Sequence, residues 1–177
     1  TAHLKPTHPP LELPLFPLRT VLFPGGLLAL KVFEARYLDM VSTCLRESLP
    51  FGVVALRTGD EVGADAGVEF ETIGTQAELI EVDGEQPGIL KLRCRGTRRF
   101  SLRAPTREAD GLWTAPFETI EDDEPCAPAE AAEATVRGLE TALAALKERG
   151  NAPFLEPYRF DEAGWVANRW CARKRCG

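Results

Sequence analysis

The side chains able to do covalent or metal chemistry are few and poorly placed for it. Both histidines, His3 and His8, fall in a proline-rich lead at the start of the chain, so a histidine dyad, triad or zinc site has no members in the body of the sequence. The five cysteines, Cys44, Cys94, Cys126, Cys171 and Cys176, include no C-x-x-C pair, which points neither to a disulfide framework nor to a zinc knuckle. Cys44 and Cys94 sit on apolar faces and read as small core residues, whereas Cys171 and Cys176 are candidate exposed thiols. The three serines, Ser42, Ser48 and Ser101, lack the context of a nucleophile. No G-x-x-x-x-G-K-[ST] phosphate loop and no G-x-G-x-x-G occurs. These residues predict no catalytic group, no metal and no cofactor.

Two other patterns suit binding. Lys91 to Arg107 holds seven Lys or Arg and no acid, a density that suits tracking phosphates in RNA. Charges alternating along a strand are more simply a solvated outer face, and only Phe100 offers a ring for base stacking. The second pattern is aromatic. Phe16, Phe23, Phe33, Arg36 and Tyr37 crowd one short region and are the candidate peptide-binding residues. Core packing competes for the phenylalanines and Tyr37, and Arg36 is equally suited to pairing with a carboxylate. Abundant Asp and Glu keep an unrecognised enzyme with a carboxylate site as a further alternative.

The elements that must position these residues follow from periodicity. Leu28, Leu30 and Val32 alternate as a strand, and Tyr37, Met40, Val41, Cys44 and Leu45 then recur at helical spacing. Phe51 to Leu56 has the length and composition of a buried strand. Thr58 to Gly67 reads as a surface loop, and Val68 to Val82 as one or two strands. Asp83 to Gly88 reads as a hairpin turn, Asp-Gly being able to supply the positive backbone angles such turns need, and Gly96 marks a bulge or a tight turn. A last strand runs from Gly111-Leu112-Trp113 to Ile120, followed by the acidic linker Glu121 to Glu124. Pro128 to Arg149 predicts a helix whose Val136, Leu139, Leu143 and Leu146 pack on Trp165 or on the strands. The expected fold class is α+β, a twisted β structure with one early helix and a C-terminal helical part, divided as 11–124 and 125–177.

The order LPLFPL, V-L-F-P-G and F-E-A-R-Y-L-D-M, followed by Phe51 to Leu56, Gly67 to Glu81 and Gly96-Thr97-Arg98-Arg99-Phe100, resembles the amino-terminal domain of Lon proteases. The likeness is stronger to stand-alone bacterial proteins made of that domain. It covers most of 11–120 and fades after Trp170, where this chain ends in Cys-Ala-Arg-Lys-Arg-Cys-Gly. The resemblance implies a PUA-like pseudo-barrel and a non-catalytic module that binds an unfolded or tagged polypeptide, or a protein subunit, without a cofactor. Full-length Lon carries an ATPase module and a Ser-Lys protease site, and neither is found in these residues. An RNA-binding PUA-like domain using 91–107 is the rival.

With 177 residues and a net charge of -6, a single domain or a domain with a helical appendage is expected, with little general affinity for nucleic acid or anionic membranes. Thr20 to Leu30 is too short to span a bilayer, and the lead lacks a signal-peptide core, so a cytoplasmic location is expected.

Overall fold

The computed structural model describes residues 12–58, 68–150 and 153–174. The histidines, Cys176 and nearly all of the expected 58–67 loop lie outside the described residues. Eight strands and three helices follow in order: β1 (Glu12–Leu18), β2 (Leu27–Val32), α1 (Ala35–Glu47), β3 (Phe51–Thr58), β4 (Glu69–Phe70), β5 (Ile73–Gln86), β6 (Ile89–Leu102), β7 (Thr106–Arg107), β8 (Trp113–Thr119), α2 (Glu133–Glu148) and α3 (Ala163–Lys174). β1, β3, β5, β6 and β8 pair in a closed cycle, because β6 bonds β8 as well as β5. β2 extends the sheet beyond β6, and its outer edge is unpaired among the described residues.

β1 explains how its two prolines are tolerated inside a sheet. Its antiparallel register with β8 covers Glu12 to Leu15, and its parallel register with β3 covers Leu15 to Leu18. Pro14 therefore sits where the β3 side is unpaired and Pro17 where the β8 side is unpaired, so neither removes a needed donor. The strand also faces two cores. Leu13 and Leu15 join Val54, Phe100, Leu102 and Ala115, whereas Phe16 and Leu18 join Tyr37, Met40 and Val41 of α1. An apolar run without alternation is what a strand buried on both faces requires.

β6 changes allegiance in the same way. Leu92 and Cys94 face the α1 core, but Phe100 and Leu102 face the other. An irregularity in register opposite Thr75 and Ala77, between Gly96 and Arg99, inserts the odd residue that flips the face. Gly96 is obligatory there, since a Cβ would lie 2.2 Å from the Phe23 carbonyl oxygen. The chain reverses inside the expected Asp83 to Gly88 cluster, but not at Asp-Gly. β5 continues through Asp83 and Gly84 to Gln86, and Pro87-Gly88 makes the reversal, with Gly88 at φ +77°.

In the C-terminal part a 3-10 turn, Glu130–Ala132, precedes α2, so the α-helix starts later than Pro128. Leu139 and Leu143 bury against Phe154 and Val166, with Val136, Trp165 and Trp170 packed around them. Leu146 is half-buried.

Candidate functional site

Phe16, Arg36 and Tyr37 come together, and Phe23 and Phe33 lie elsewhere. Phe16 and Tyr37 are buried and stacked, with centroids 4.1 Å apart and planes at 17°. Both belong to the core, where a ligand cannot touch them without unpacking it. Arg36 lies with its guanidinium 4.8 Å from the Tyr37 ring centre. Its Nε donates to Glu34 at 3.1 Å and its Nη1 to the Gly111 carbonyl at 2.8 Å. Phe33 is 51% exposed just after the edge strand β2, and Phe23 is half-buried between the strand ring and the helical part.

Beside Arg36 the fold leaves a half-open cavity of about 310 Å³. Its walls are the start of β1 (Leu13, Pro14), one face of α1 (Met40, Thr43, Cys44), Leu49-Pro50, Leu112 and Phe117. Those walls are mainly apolar, and Glu12, Asp39 and Asp110 stand among them. A second depression of about 370 Å³ shares Cys44, Leu49 and Pro50 with the first and includes exposed Leu45. A third, of about 1090 Å³, shares Glu78, Leu79 and Thr97 with the second and reaches Phe23 and Trp165. The first and second share walls, as do the second and third, whereas the first and third have no lining residue in common.

The sequence reading missed Asp39, Leu49, Pro50 and Leu112. A signal existed for part of this, because Arg36, Asp39 or Met40, and Thr43 recur at i, i+3/i+4, i+7 and mark a second stripe beside the buried one. Leu49 and Leu112 carried no such signal, since they meet the helix only through tertiary packing.

The basic run behaves as a solvated strand face. Arg93 pairs with Glu81 at 3.2 Å, Arg95 with Glu78 at 2.6 Å, Arg99 with Asp123 at 2.9 Å, and Arg103 with Glu118. Each is answered by a carboxylate on a neighbouring strand or on the linker, which leaves less charge for phosphates. Cys44 and Cys94 are buried, and loss of solvation pushes the Cys94 thiol up to about 12, with Cys44 nearby adding to the effect. No group of three or more His, Cys, Asp or Glu converges as a metal site among the described residues. No helix among them is long and apolar enough to cross a membrane.

A closed strand ring with one early helix and an apolar groove defines a binding module. Residues 12–172 match the ATP-dependent protease La (LON) substrate-binding domain, and the chain belongs to that family. A solved Lon N-terminal domain protein from Xanthomonas campestris is 33% identical and covers 90% of this chain and 80% of its own, with a TM-score of 0.68. The N-terminal domain of Mycobacterium avium complex Lon protease shares the fold at 15% identity, a TM-score of 0.52, and 92% and 75% coverage. Lon protease of Anaeromyxobacter dehalogenans (strain 2CP-C) and Lon protease 2 of Myxococcus xanthus are each 31% identical over 114 residues, 64% of this chain. The matched region spans only 13% and 14% of those relatives. The chain is thus a substrate-binding module resembling the recognition domain of Lon, and that domain is a non-catalytic module.

Proposed function

We propose that this chain binds unfolded or tagged polypeptide, without a cofactor and without catalysis of its own, by lodging apolar side chains in the groove that begins beside Arg36. The carrying observation is the half-open, largely apolar cavity between α1 and β1, which shares Cys44, Leu49 and Pro50 with a second depression. Residues 11–124 act as the binding unit and 125–177 as a helical appendage that walls the far end. Arg36 lines the near end, backed by the Phe16–Tyr37 stack, and Phe23 lines the far end. Phe33 sits next to the open edge of β2, where an extended chain has backbone groups to pair with. An aqueous, cytoplasmic setting agrees with this role.

The test is binding of a chemically unfolded model protein and of single-stranded RNA, each at low and moderate salt. Polypeptide binding at micromolar Kd or weaker, about 8 kcal/mol, is expected, most of it surviving the added salt because apolar burial drives it. Leu49→Asp, which puts a charge at the junction of two depressions, should abolish it. Salt-sensitive RNA binding with no polypeptide binding would replace this function with the RNA-binding one.

A further inference from the structure

The cavity beside Arg36 is apolar within, but its charge is one-sided. Glu12 comes from β1, Asp39 from α1 and Asp110 from the turn before β8, so three separate elements each bring a carboxylate to it. Asp110 is tethered by the fold, accepting the Leu112 backbone N–H at 3.0 Å, whereas Glu12 lies 3.4 Å from the Thr114 hydroxyl, whose single proton has a nearer acceptor in Glu108 at 3.0 Å. None of the three takes part in an ion pair among the described residues, in contrast to the carboxylates that answer Arg93, Arg95, Arg99 and Arg103. Arg36 is the one cation lining the cavity among the described residues, and Glu34 already matches it at 3.1 Å. Arg107 comes near Gly111 without lining the cavity and is itself engaged.

Resting on the polypeptide-binding function above, we propose that this cavity selects a large apolar side chain flanked in sequence by Lys or Arg. The apolar walls desolvate the central side chain while the flanking cations reach the carboxylates at the mouth. Charges of one sign on low-dielectric walls reject acidic flanks as strongly as they favour basic ones. The volume of about 310 Å³ suits one large side chain rather than a folded surface. The chemistry selected is therefore an apolar residue in a basic stretch of unfolded chain.

Three fluorescent peptides with one phenylalanine-centred core, flanked by lysine, serine or glutamate, test this by anisotropy on the intact chain. At low salt the lysine peptide should bind about tenfold tighter than the glutamate peptide, and the gap should narrow as salt screens it. Changing Glu12→Gln, Asp39→Asn and Asp110→Asn together should erase the preference, and an unchanged unfolding midpoint shows that the chain still folds. The amide oxygen of Asp110→Asn can still accept the Leu112 N–H. Equal affinity for all three peptides, or a preference that survives the triple change, overturns the selection rule while leaving polypeptide binding intact. Failure to bind any peptide and the unfolded protein overturns both.

Discussion

Arg36 on α1, against the strand ring, and Arg169 in the C-terminal helical part are both buried, and the two guanidinium groups are held in opposite ways. Arg36 has a carboxylate, a carbonyl and an aromatic face. Arg169, only 1% exposed, donates a hydrogen bond from Nη2 to the Pro24 carbonyl at 2.9 Å, and its Nε and Nη1 have no hydrogen-bond partner among the described residues. The rings of Phe154 and Trp165 lie 5.4 Å to either centroid from it. Burial lowers its pKa to about 10, which still leaves a cation at neutral pH. The ring compensates its buried charge locally. The helical part compensates with π faces and one carbonyl borrowed from the loop of Pro24, and it has a smaller core of Leu139, Leu143, Phe154 and Val166. A region carrying an under-satisfied charge on a small core is the one that opens first.

The largest effect that tests this contrast is Arg36→Met, which leaves Glu34 and the Gly111 carbonyl without their donor. A loss of about 3 kcal/mol is expected by denaturant unfolding, at the low end for a broken buried pair because Glu34 retains some contact with water. Arg169→Met should do far less. It removes a charge that no carboxylate answers, so the global unfolding free energy should change by no more than about 1 kcal/mol. Native-state hydrogen exchange in α3 should nonetheless quicken, because the hydrogen bond to Pro24 is gone. Equal losses for the two substitutions would refute the contrast.

How far these features could be read in the chain depends on how local their causes are. The α1 stripe, a break in regular pairing at Gly96 and the strand at Phe51 were legible, because period and residue type are properties of short windows. The hairpin was legible within Asp83 to Gly88 but its turning residues were not, because Asp83-Gly84 has turn chemistry, yet pairing with Lys91 holds it extended until Pro87-Gly88 supplies the reversal. Phe16 looked available for recognition since nothing nearby in sequence covers it; its partner Tyr37 arrives on a helix 21 residues away (37 minus 16). Arg169 was unreadable for the same reason, its acceptor lying 145 residues upstream. The groove is the extreme case, being built from β1, α1, β5 and the loops between them.

The smallest effect concerns cysteine and leaves stability at neutral pH untouched. Cys94 on β6 is fully buried, whereas Cys171 on α3 and Cys126 before α2 are exposed. Desolvation raises the Cys94 thiol from its ordinary 9.0 to about 12, with the neighbouring Cys44 adding to it. Below pH 9 the thiol is protonated whether the chain is folded or not, so the contribution is fully present. As pH climbs from 9 toward 12 the unfolded chain releases its proton first and the folded chain does not, so that contribution is lost across the window. Cys94→Ala should flatten the alkaline fall in unfolding free energy, and Cys171→Ala should not. A thiol reagent near neutral pH separates the regions directly. Cys126 and Cys171 should be modified in the native protein within the mixing time of a mass-spectrometric assay, and Cys94 only as fast as the strand ring opens. Arg169→Met should leave the Cys94 rate unchanged, since the helical part loosens without the ring. If Cys94 is labelled as quickly as Cys171, or accelerates with Arg169→Met, the ring is not the more firmly closed of the two regions.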